Sequence, residues 1–533
     1  MKSNNFRILI FLSIIFSLSS CLKKEASKLQ IAPKYVLSIT QTDNTNAPSL
    51  QSFAHGLNND EWLLFAGRTN SLDSLNGGIH RLNGNYSGSS FTQVSYNNDL
   101  IVYNQKSDLI LGSLSIENFI KKIEDKCLSF SKKTPGILCP YYNLLKVVKN
   151  NTSIFKNSNA LVKQEGNYLY VIGGYGPADF TDPSKGYITY NQIAKINVPN
   201  FIKLIKGSTL TKEEWLDLIS LGKNEKLIST GGELYILDNI FYLTAGHNFG
   251  NNAPGFQKYV DAVYPFTLKN NSNNHNILDI TVNSPISDVP SPTANGTDAI
   301  SIFRRRDGPI TPNLYKSKNT IKPGLTLYTG VFRPDSTVIK DKDTINYHLA
   351  WNNAIYVHPN KEVNSKKYTY DRTYNQKNYN VYSCPNIVLF DSKSETLHTF
   401  LLGGIGDGKR ASVGHLSGFT NTGVHIKMNI GDDVLKSTHN VLDYNIFNNN
   451  TENNPPFFGA EAILFPNKSL TFSEFSKEII DLKLSFEGKN SIEVGYVFGG
   501  IEAFQSNPGT YGIGKSRASN KIWKVTLTKQ ITE

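Results

Sequence analysis

One stretch of the sequence decides the fold: YLYVIGG, at residues 168–174. Its five apolar residues include two tyrosines, a valine and an isoleucine. A run this short and this rich in aromatic and β-branched side chains is typical of a buried strand rather than a helix. The glycine pair predicts that the strand ends where a Cβ atom would clash or where φ turns positive.

The same pattern occurs six times, each time as a short apolar run that ends in Gly-Gly or in a small residue and Gly. The six runs lie at residues 62–67, 168–174, 241–246, 325–330, 399–404 and 494–500. Successive doublets are 107, 72, 84, 74 and 96 residues apart. A pattern that recurs over nearly the whole chain indicates one repeat architecture rather than a set of unrelated domains.

A second strand follows several of the doublets, with a polar residue ahead of an apolar alternation, at 190–196, 261–266 and 520–525. Taken together, the two strands resemble kelch repeats, in which a strand ending in Gly-Gly is followed by a loop, a strand and a large apolar residue. The stretches FAHGLNNDEWLLFAGRTN, YLYVIGGYGPADF and FRRRDG are similar to a group of exported kelch-type proteins of Gram-negative bacteria.

The resemblance implies an all-β fold, a six-bladed kelch-type β-propeller with a few short helices. Kelch repeats run ~50 residues, so the longer spacings here imply long insertions between strands. Only one strand, at 521–528, follows the last doublet, which leaves the sixth blade one strand short. The alternating run at 35–40 is expected to complete that blade. The alternative is that it leads into the first blade.

Composition is that of a folded chain: of 533 residues, 39% are hydrophobic, 11% aromatic and 19% charged. The net charge is +11, but the basic residues are scattered, and the longest basic run is the three residues Arg304–Arg306. A nucleic-acid partner is therefore not expected. The arginine run has two interpretations, a solvated loop, which is the default, and an anion-binding site.

Residues 1–20 have the parts of a secretory signal, with Lys2 and Arg7 ahead of an apolar stretch at 8–18 that is too short to span a bilayer. The segment ends in Leu-Ser-Ser-Cys21 and resembles the bacterial lipobox, which implies that Cys21 carries a lipid. The alternative is an ordinary signal peptide with an incidental cysteine.

Residue 22 is leucine and not aspartate, which in bacterial lipoproteins favours the outer membrane. We therefore expect an outer-membrane lipoprotein of a Gram-negative bacterium, facing the periplasm or the surface. Residues 21–32 then form a tether, and residues 33–533 form a single propeller domain.

Three cysteines remain, and Cys127 and Cys139 are expected to form a disulfide because both lie in one local segment. Cys384 is expected to be a buried hydrophobe. The cystine lies in an insertion at about 104–150, in which apolar residues at 116–123 have helical spacing. A second helix is predicted from the capping-box pair Thr211 and Glu214, running towards Gly222.

No metal-ligand spacing, nucleophile elbow, P-loop or dinucleotide fingerprint is present, so no cofactor and no metal are expected. In kelch propellers the loops after the doublets open on one face. Mixed charges and aromatic side chains on such a rim suit a sugar or a protein partner. The candidate binding residues are Arg68, Tyr175, His247, Arg333, Asp407 and Glu502.

The sequence thus favours a non-catalytic binding or scaffold module for an envelope protein or a glycan. The alternative is a carbohydrate-active enzyme, because kelch-type propellers include copper radical oxidases and a sialic-acid epimerase. Oxidase chemistry needs a tyrosine crosslinked to a cysteine, for which Cys384 is the unpaired candidate. Epimerisation needs an acid–base pair over a sugar carboxylate that is held by arginine, and Arg68, Arg333 and His247 are the candidates for these roles.

Overall fold

The computed structural model describes residues 33–70, 91–250, 257–290, 292, 301–340, 343–361, 365–376, 381–406, 418–431, 436–443, 445–447, 456–506 and 516–531. Within these ranges, thirty-four strands and five α-helices form. The predicted all-β class is confirmed. Six of the sheets hold four or more strands, and we number them I to VI in chain order.

The first three sheets are antiparallel and are built almost in chain order. The first strand of the chain, β1 (Pro33–Gln41), belongs to sheet VI. Sheet I consists of β2 (Ala54–Asn58), β3 (Glu61–Phe65), β4 (Asp99–Asn104) and β5 (Leu109–Ser115). Sheet II consists of β6 (Leu161–Glu165), β7 (Tyr168–Ile172), β10 (Gln192–Asn197) and β11 (Ile219–Lys223), with a hairpin of β8 (Tyr175–Pro177) and β9 (Tyr187–Thr189) beside it. Sheet III consists of β12 (Thr230–Leu237), β13 (Ile240–Phe249), β14 (Gln257–Tyr259), β15 (Tyr264–Asn270) and β16 (Leu278–Val282).

The other three sheets carry longer excursions between their strands. Sheet IV consists of β17 (Ile310–Ser317), β18 (Thr320–Leu327), β21 (Ala354–Val357) and β22 (Tyr368–Asp371), with a hairpin of β19 (Val331–Lys340) and β20 (Asp343–Ala350) beside it. Sheet V consists of β23 (Asn386–Asp391), β24 (Thr396–Ile405), β25 (Phe419–Asn429), β26 (Lys436–Asp443), β29 (Phe472–Ser473) and β30 (Ser476–Asp481). Sheet VI consists of β28 (Ile463–Pro466), β31 (Ser491–Phe498), β34 (Ile522–Ile531) and β1, with a small sheet of β27 (Phe457–Ala460), β32 (Ile501–Ala503) and β33 (Ser516–Ala518) beside it.

The five helices are short connections, apart from the first. They are α1 (Ile116–Lys133), α2 (Tyr142–Lys149), α3 (Val198–Ile205), α4 (Lys212–Leu216) and α5 (Leu482–Ser485). A disulfide joins Cys127 to Cys139 between α1 and α2, with 5.4 Å between the Cα atoms. Across the described ranges, none of the helices is both long enough and apolar enough to cross a lipid bilayer.

The capping box of Thr211 and Glu214 is present at the start of α4, as expected. The expected end near Gly222 is wrong, because α4 stops at Leu216 and β11 begins at Ile219. The physical reason is strand pairing: Ile219 pairs with Ile196 of β10, and this tertiary ladder overrides the local helical spacing.

Apolar clusters lie between sheets that follow one another along the chain, and each cluster contains buried residues from two sheets. Sheet VI is joined in this way to sheet I, where the rings of Trp62 and Phe465 stack with centroids 4.0 Å apart. Representative pairs for sheets I–II, II–III, III–IV, IV–V and V–VI are Leu63 with Val171, Ile172 with Phe241, Tyr242 with Leu327, Tyr356 with Val424, and Phe400 with Trp523.

The glycine doublets follow β3, β7, β18 and β31 and lie within β13 and β24, and the last glycine of four of them donates its N–H to a residue near the next sheet. The N–H of Gly67 donates to the carbonyl of Asn157 at 2.6 Å, and the N–H of Gly174 donates to that of Ser229 at 3.0 Å. Gly500 of sheet VI donates in the same way to Leu50, just ahead of sheet I, at 2.8 Å. A Cβ atom at Gly173 would lie 2.1 Å from the Ser229 oxygen. Glycine is required here because the backbones touch.

Replacing Gly173 by alanine should therefore lower the free energy of unfolding more than replacing Gly166 by alanine does. Both glycines have positive φ, +64° and +57°, but nothing lies within 4 Å of a Cβ atom at Gly166. Gly166→Ala should cost about 1–2 kcal/mol for the left-handed backbone alone. Gly173→Ala should cost about 1–3 kcal/mol more, for the overlap. Urea denaturation of the two variants measures the difference, and equal costs would show that the close approach does not matter.

Strand β1 adds the fourth strand to sheet VI, as the run at 35–40 predicts. It pairs antiparallel with β34 from Pro33 opposite Ile531 to Gln41 opposite Trp523. Ile39 is buried in the cluster between sheets V and VI.

Ile39→Ala should lower the free energy of unfolding by about 2–4 kcal/mol, because it leaves a cavity beneath β1. The adjacent Thr40 is exposed, so Thr40→Ala should change stability by less than about 0.5 kcal/mol. Thermal denaturation of both variants provides the comparison. If Ile39→Ala lowers stability no more than Thr40→Ala does, β1 does not hold sheet VI together.

Candidate functional site

A cavity of about 920 Å³ lies between the first strands of the six sheets. Its walls carry both apolar and ionisable side chains, and every sheet contributes. Lining residues from β2, β6, β12, β17, β23 and β28 are His55, Lys163, Glu233, Pro312, Val388 and Phe465. Cavities of this size, about 300–1,000 Å³, commonly take small molecules.

A left-handed residue lies at or just before the start of each of the strands β2, β6, β12, β17, β23 and β28, and all of these residues line the cavity. Their φ angles lie between 52° and 61°. Five backbone hydrogen bonds link these residues in chain order, because the N–H of each later residue donates to the carbonyl of the one before it. The first runs from Asn159 to Ser52 and the last from Glu461 to Ser383, and the N···O distances are 2.6–3.2 Å. We call the set the belt; its members are Ser52, Asn159, Gly231, Asp307, Ser383 and Glu461.

Glu461 ties the two ends of the belt together through its side chain. Its carboxyl oxygens accept hydrogen bonds from the hydroxyls of Ser52 at 3.0 Å and Ser383 at 2.7 Å. Burial raises the pKa of Glu461 and the charge of Asp307 adds to that effect, while both hydroxyls and Arg68 oppose it.

Glu233 is a carboxyl group of the cavity wall with no hydrogen-bond partner among the described protein groups. It follows Gly231 and Gly232 on β12 and is partly exposed to the cavity. In the part of the chain that the structure describes, its side chain forms no hydrogen bond and no ion pair. Burial raises its pKa to about 8; Lys163 opposes this shift and Glu461 adds to it. At neutral pH the group is mostly a protonated acid, able both to donate and to accept.

Three other ionisable side chains of the cavity, Lys163, Asp307 and His55, have charge partners or are neutral. Lys163 forms an ion pair with Glu478, and its Nζ lies 5.1 Å from the centre of the Tyr235 ring. Arg306 donates from Nε to Asp307 at 2.7 Å. Burial lowers the pKa of His55 to about 4, helped by Lys163, so this ring is neutral at pH 7. Glu233 differs from these three side chains because it keeps spare hydrogen-bonding capacity.

Three of the residues predicted from the sequence, Arg68, Tyr175 and His247, meet in one aromatic cluster. The Arg68 guanidinium lies 3.9 Å from the centre of the Phe91 ring, which packs edge-on against Tyr175 at 5.2 Å. Tyr175 contacts Phe249 at 5.2 Å, and Phe249 stacks on His247 at 5.5 Å. All three predicted residues are only 4% exposed. They are therefore packed inside the protein and do not form an open rim.

Arg306 connects this aromatic cluster to the belt. Its Nη1 lies 3.4 Å from His247 Nε2, while its Nε holds Asp307. Burial, with Arg306 beside it, lowers the pKa of His247 well below the usual range. The imidazole is neutral and acts as a packing partner of the guanidinium.

The remaining predicted residues are spread over other elements. Glu502 is buried on β32 and accepts from Arg517 Nε at 2.6 Å. Arg333 lies on β19, near enough to Arg305 for the two charges to repel. Asp407 and the lipidation candidate Cys21 lie outside the described residues.

The default interpretation of Arg304–Arg306 as a solvated loop is wrong for Arg305, which has no exposed surface. Its guanidinium donates to the carbonyls of Ile302 at 3.0 Å, Leu327 at 3.2 Å and Asn353 at 2.9 Å. Burial lowers its pKa to about 9. The side chain closes a turn by satisfying carbonyls that would otherwise be buried without donors.

Sequence reasoning missed Glu233 and the belt, because it examined the loops after the doublets and not the entries to the first strands. A signal was present in the sequence. Each of three belt residues lies 15 positions before the last residue of the following doublet: Ser52 before Gly67, Asn159 before Gly174 and Gly231 before Gly246. Serine, asparagine and glycine at a fixed offset are residue types that tolerate or favour a left-handed turn.

No group of three or more His, Cys, Asp or Glu side chains within the described ranges is arranged to hold a metal ion. Cys384 is buried beside the cavity, and burial raises the pKa of its thiol to about 12. The sequence matches no protein-family model, and a search of curated proteins found no match. The geometry therefore defines the molecule as an all-β protein with an acidic cavity between its six main sheets.

The raised pKa of Glu233 predicts a pH dependence of stability. The folded chain holds a proton that the unfolded chain, with an ordinary pKa of 4.5, releases, so the free energy of unfolding falls as pH rises towards and through about 8. Between about pH 7 and pH 9 this fall should be smaller in Glu233→Gln, which has no proton to lose. Urea denaturation at the two pH values tests this, and parallel curves for parent and variant would contradict it.

Proposed function

We propose that the chain is a six-bladed kelch-type β-propeller whose central cavity binds a short glycan. Six sheets with four or more strands, apolar clusters that join each sheet to the next, and the belt all support this architecture. Pairing of β1 with β34 supports a ring fastened by strands from both ends of the chain. The signal-like segment at 1–20 and Cys21 support an anchor in the outer membrane.

The carboxyl group of Glu233 carries the proposal. This group faces the cavity, is partly exposed there and forms no hydrogen bond with the described protein groups, so it is available to a ligand. Its protonated form at neutral pH offers one donor and several acceptor positions, which match a sugar hydroxyl. Tyr235 and Phe465 line the same cavity but are each only 2% exposed, so polar groups and not ring stacking would provide most of the recognition.

A glycan fits better than a protein partner because of where the groups lie. The predicted rim residues Arg68, Tyr175 and His247 are packed against each other and offer little surface to another protein. The free hydrogen-bonding capacity is inside a cavity of about 920 Å³, which admits a small molecule and not a folded domain.

Binding of short glycans, first on an array and then by titration calorimetry, tests the proposal. Glu233→Leu removes the donor and the acceptors of the cavity group at similar side-chain volume and should weaken binding about 10-fold or more, since it removes the hydrogen bonds to the sugar hydroxyl. The matched control is Glu487→Leu, at an exposed position after α5, which should bind as the parent does. Equal losses in both variants, or no glycan binding at all, would contradict a glycan site at Glu233.

A carbohydrate-active enzyme is the second candidate, favoured by the pairing of two unlike carboxyl groups. Glu233 holds a proton at neutral pH, while Asp307 is in an ion pair with Arg306; the two groups are close enough to interact electrostatically. Such a pair suits general acid–base work on a sugar. The same glycan incubated with the protein distinguishes the candidates: an enzyme releases product, and Glu233→Gln stops the release. A binding module returns the glycan unchanged.

A further inference from the structure

The cystine loop between α1 and α2 exposes an unusual set of apolar side chains. Leu128, Ile137, Leu138 and Tyr142 are 59%, 61%, 71% and 46% exposed. Leu128 follows Cys127 and Leu138 precedes Cys139, so the disulfide holds these two side chains in one neighbourhood. We call residues 126–142 the tip.

The exposed side chains of the tip are not a result of poor packing of the insertion. The opposite sides of both helices are buried in the large core cluster of sheets I and II, through Phe119 and Ile123 of α1 and Leu144 and Val148 of α2. The insertion therefore has its own apolar attachment to the protein, and the exposed residues are additional to it. Folding alone gives no reason for four large apolar side chains to remain in water.

The charges within the tip are basic, although Glu124, which is paired with Lys149, and Asp125 directly precede it. Residues 126–142 contain Lys126, Lys132 and Lys133 and no aspartate or glutamate. Lys132 and Lys133 are exposed in the last turn of α1, immediately before the loop that carries Ile137 and Leu138. The tip thus combines protruding apolar side chains, a tyrosine and a basic border.

We infer that the tip docks on an anionic lipid bilayer. Apolar side chains and a tyrosine enter the boundary between headgroups and acyl chains, while lysines stay among the phosphates and extend their stems along the apolar layer. An acidic protein surface would satisfy the lysines but not four apolar residues beside them. A second copy of the tip would bring like charges together.

The proposal does not depend on the lipid anchor, although the two are compatible. A tether of residues 21–32, which is 12 residues long, reaches at most about 40 Å when extended. A chain anchored at Cys21 would keep its folded part within that distance of the membrane. The tip would then fix one orientation of the protein on the surface.

Vesicle flotation of the full chain, produced without lipid modification, tests the docking. We expect at least about 10-fold stronger binding to vesicles of phosphatidylcholine mixed with phosphatidylglycerol than to phosphatidylcholine alone, weakening at high salt. The double variant Ile137→Glu/Leu138→Glu should lose about 10-fold or more of this binding. The double variant Lys132→Gln/Lys133→Gln should lose it on anionic vesicles only.

The control is Leu484→Glu on α5, where the leucine is 48% exposed but lies outside the tip; it should bind as the parent does. The N-terminal segment is common to all variants, so it cannot cause a difference between them. Unchanged melting temperatures confirm that each variant is folded. Equal binding by the parent and by Ile137→Glu/Leu138→Glu overturns the proposal. So does a parent that forms dimers through the tip but ignores both kinds of vesicle.

Discussion

The hydrogen bond from a glycine N–H at the end of one sheet to a backbone carbonyl at the start of the next is the contact on which the structure depends. It exists only where no Cβ atom intervenes, as at Gly173 and Gly174 against Ser229. By fixing how closely two backbones approach, it fixes the separation of the sheets, and that separation admits one layer of large side chains such as Ile172 and Phe241. The cavity follows from the same constraint, since the first strands are held at a set distance from each other and cannot collapse inward.

The charges near the cavity divide between support and function. Arg305 donates to backbone carbonyls, Arg306 forms an ion pair with Asp307, and His247 stacks on a neighbouring aromatic ring. These polar side chains therefore hold the sheets in place. Both carboxyl oxygens of Glu461 likewise accept hydrogen bonds from hydroxyl groups of the belt. Glu233 is different because no described protein group forms a hydrogen bond with its carboxyl group. This unused hydrogen-bonding capacity is the observation on which the proposed ligand site rests.

What the sequence predicted well was local. The strand at 168–172 and its glycine pair are specified by adjacent residues, and the same holds for the capping box at Thr211 and for the cystine segment. The pairing of β1 with β34 followed from counting strands. The surroundings of individual side chains could not be predicted from adjacent residues. Arg305, for example, is buried because it donates to the carbonyls of Leu327 and Asn353, which lie further along the chain. The role of Glu233 was hidden for the same reason: its neighbours come from other sheets.

Sheet VI combines strands that lie far apart in the sequence, and this sets the order in which it assembles. Thr42 bonds to Ile522 across 480 residues, so β1 is without its partner until β34 has been synthesised. Closing a loop of that length costs about 5 kcal/mol in chain entropy, offset only once the ladder forms. Until then β1 and β31 have open edges, the kind of surface that proteases and chaperones detect. Sheet VI is therefore the last of the six main sheets whose strands are all available for pairing.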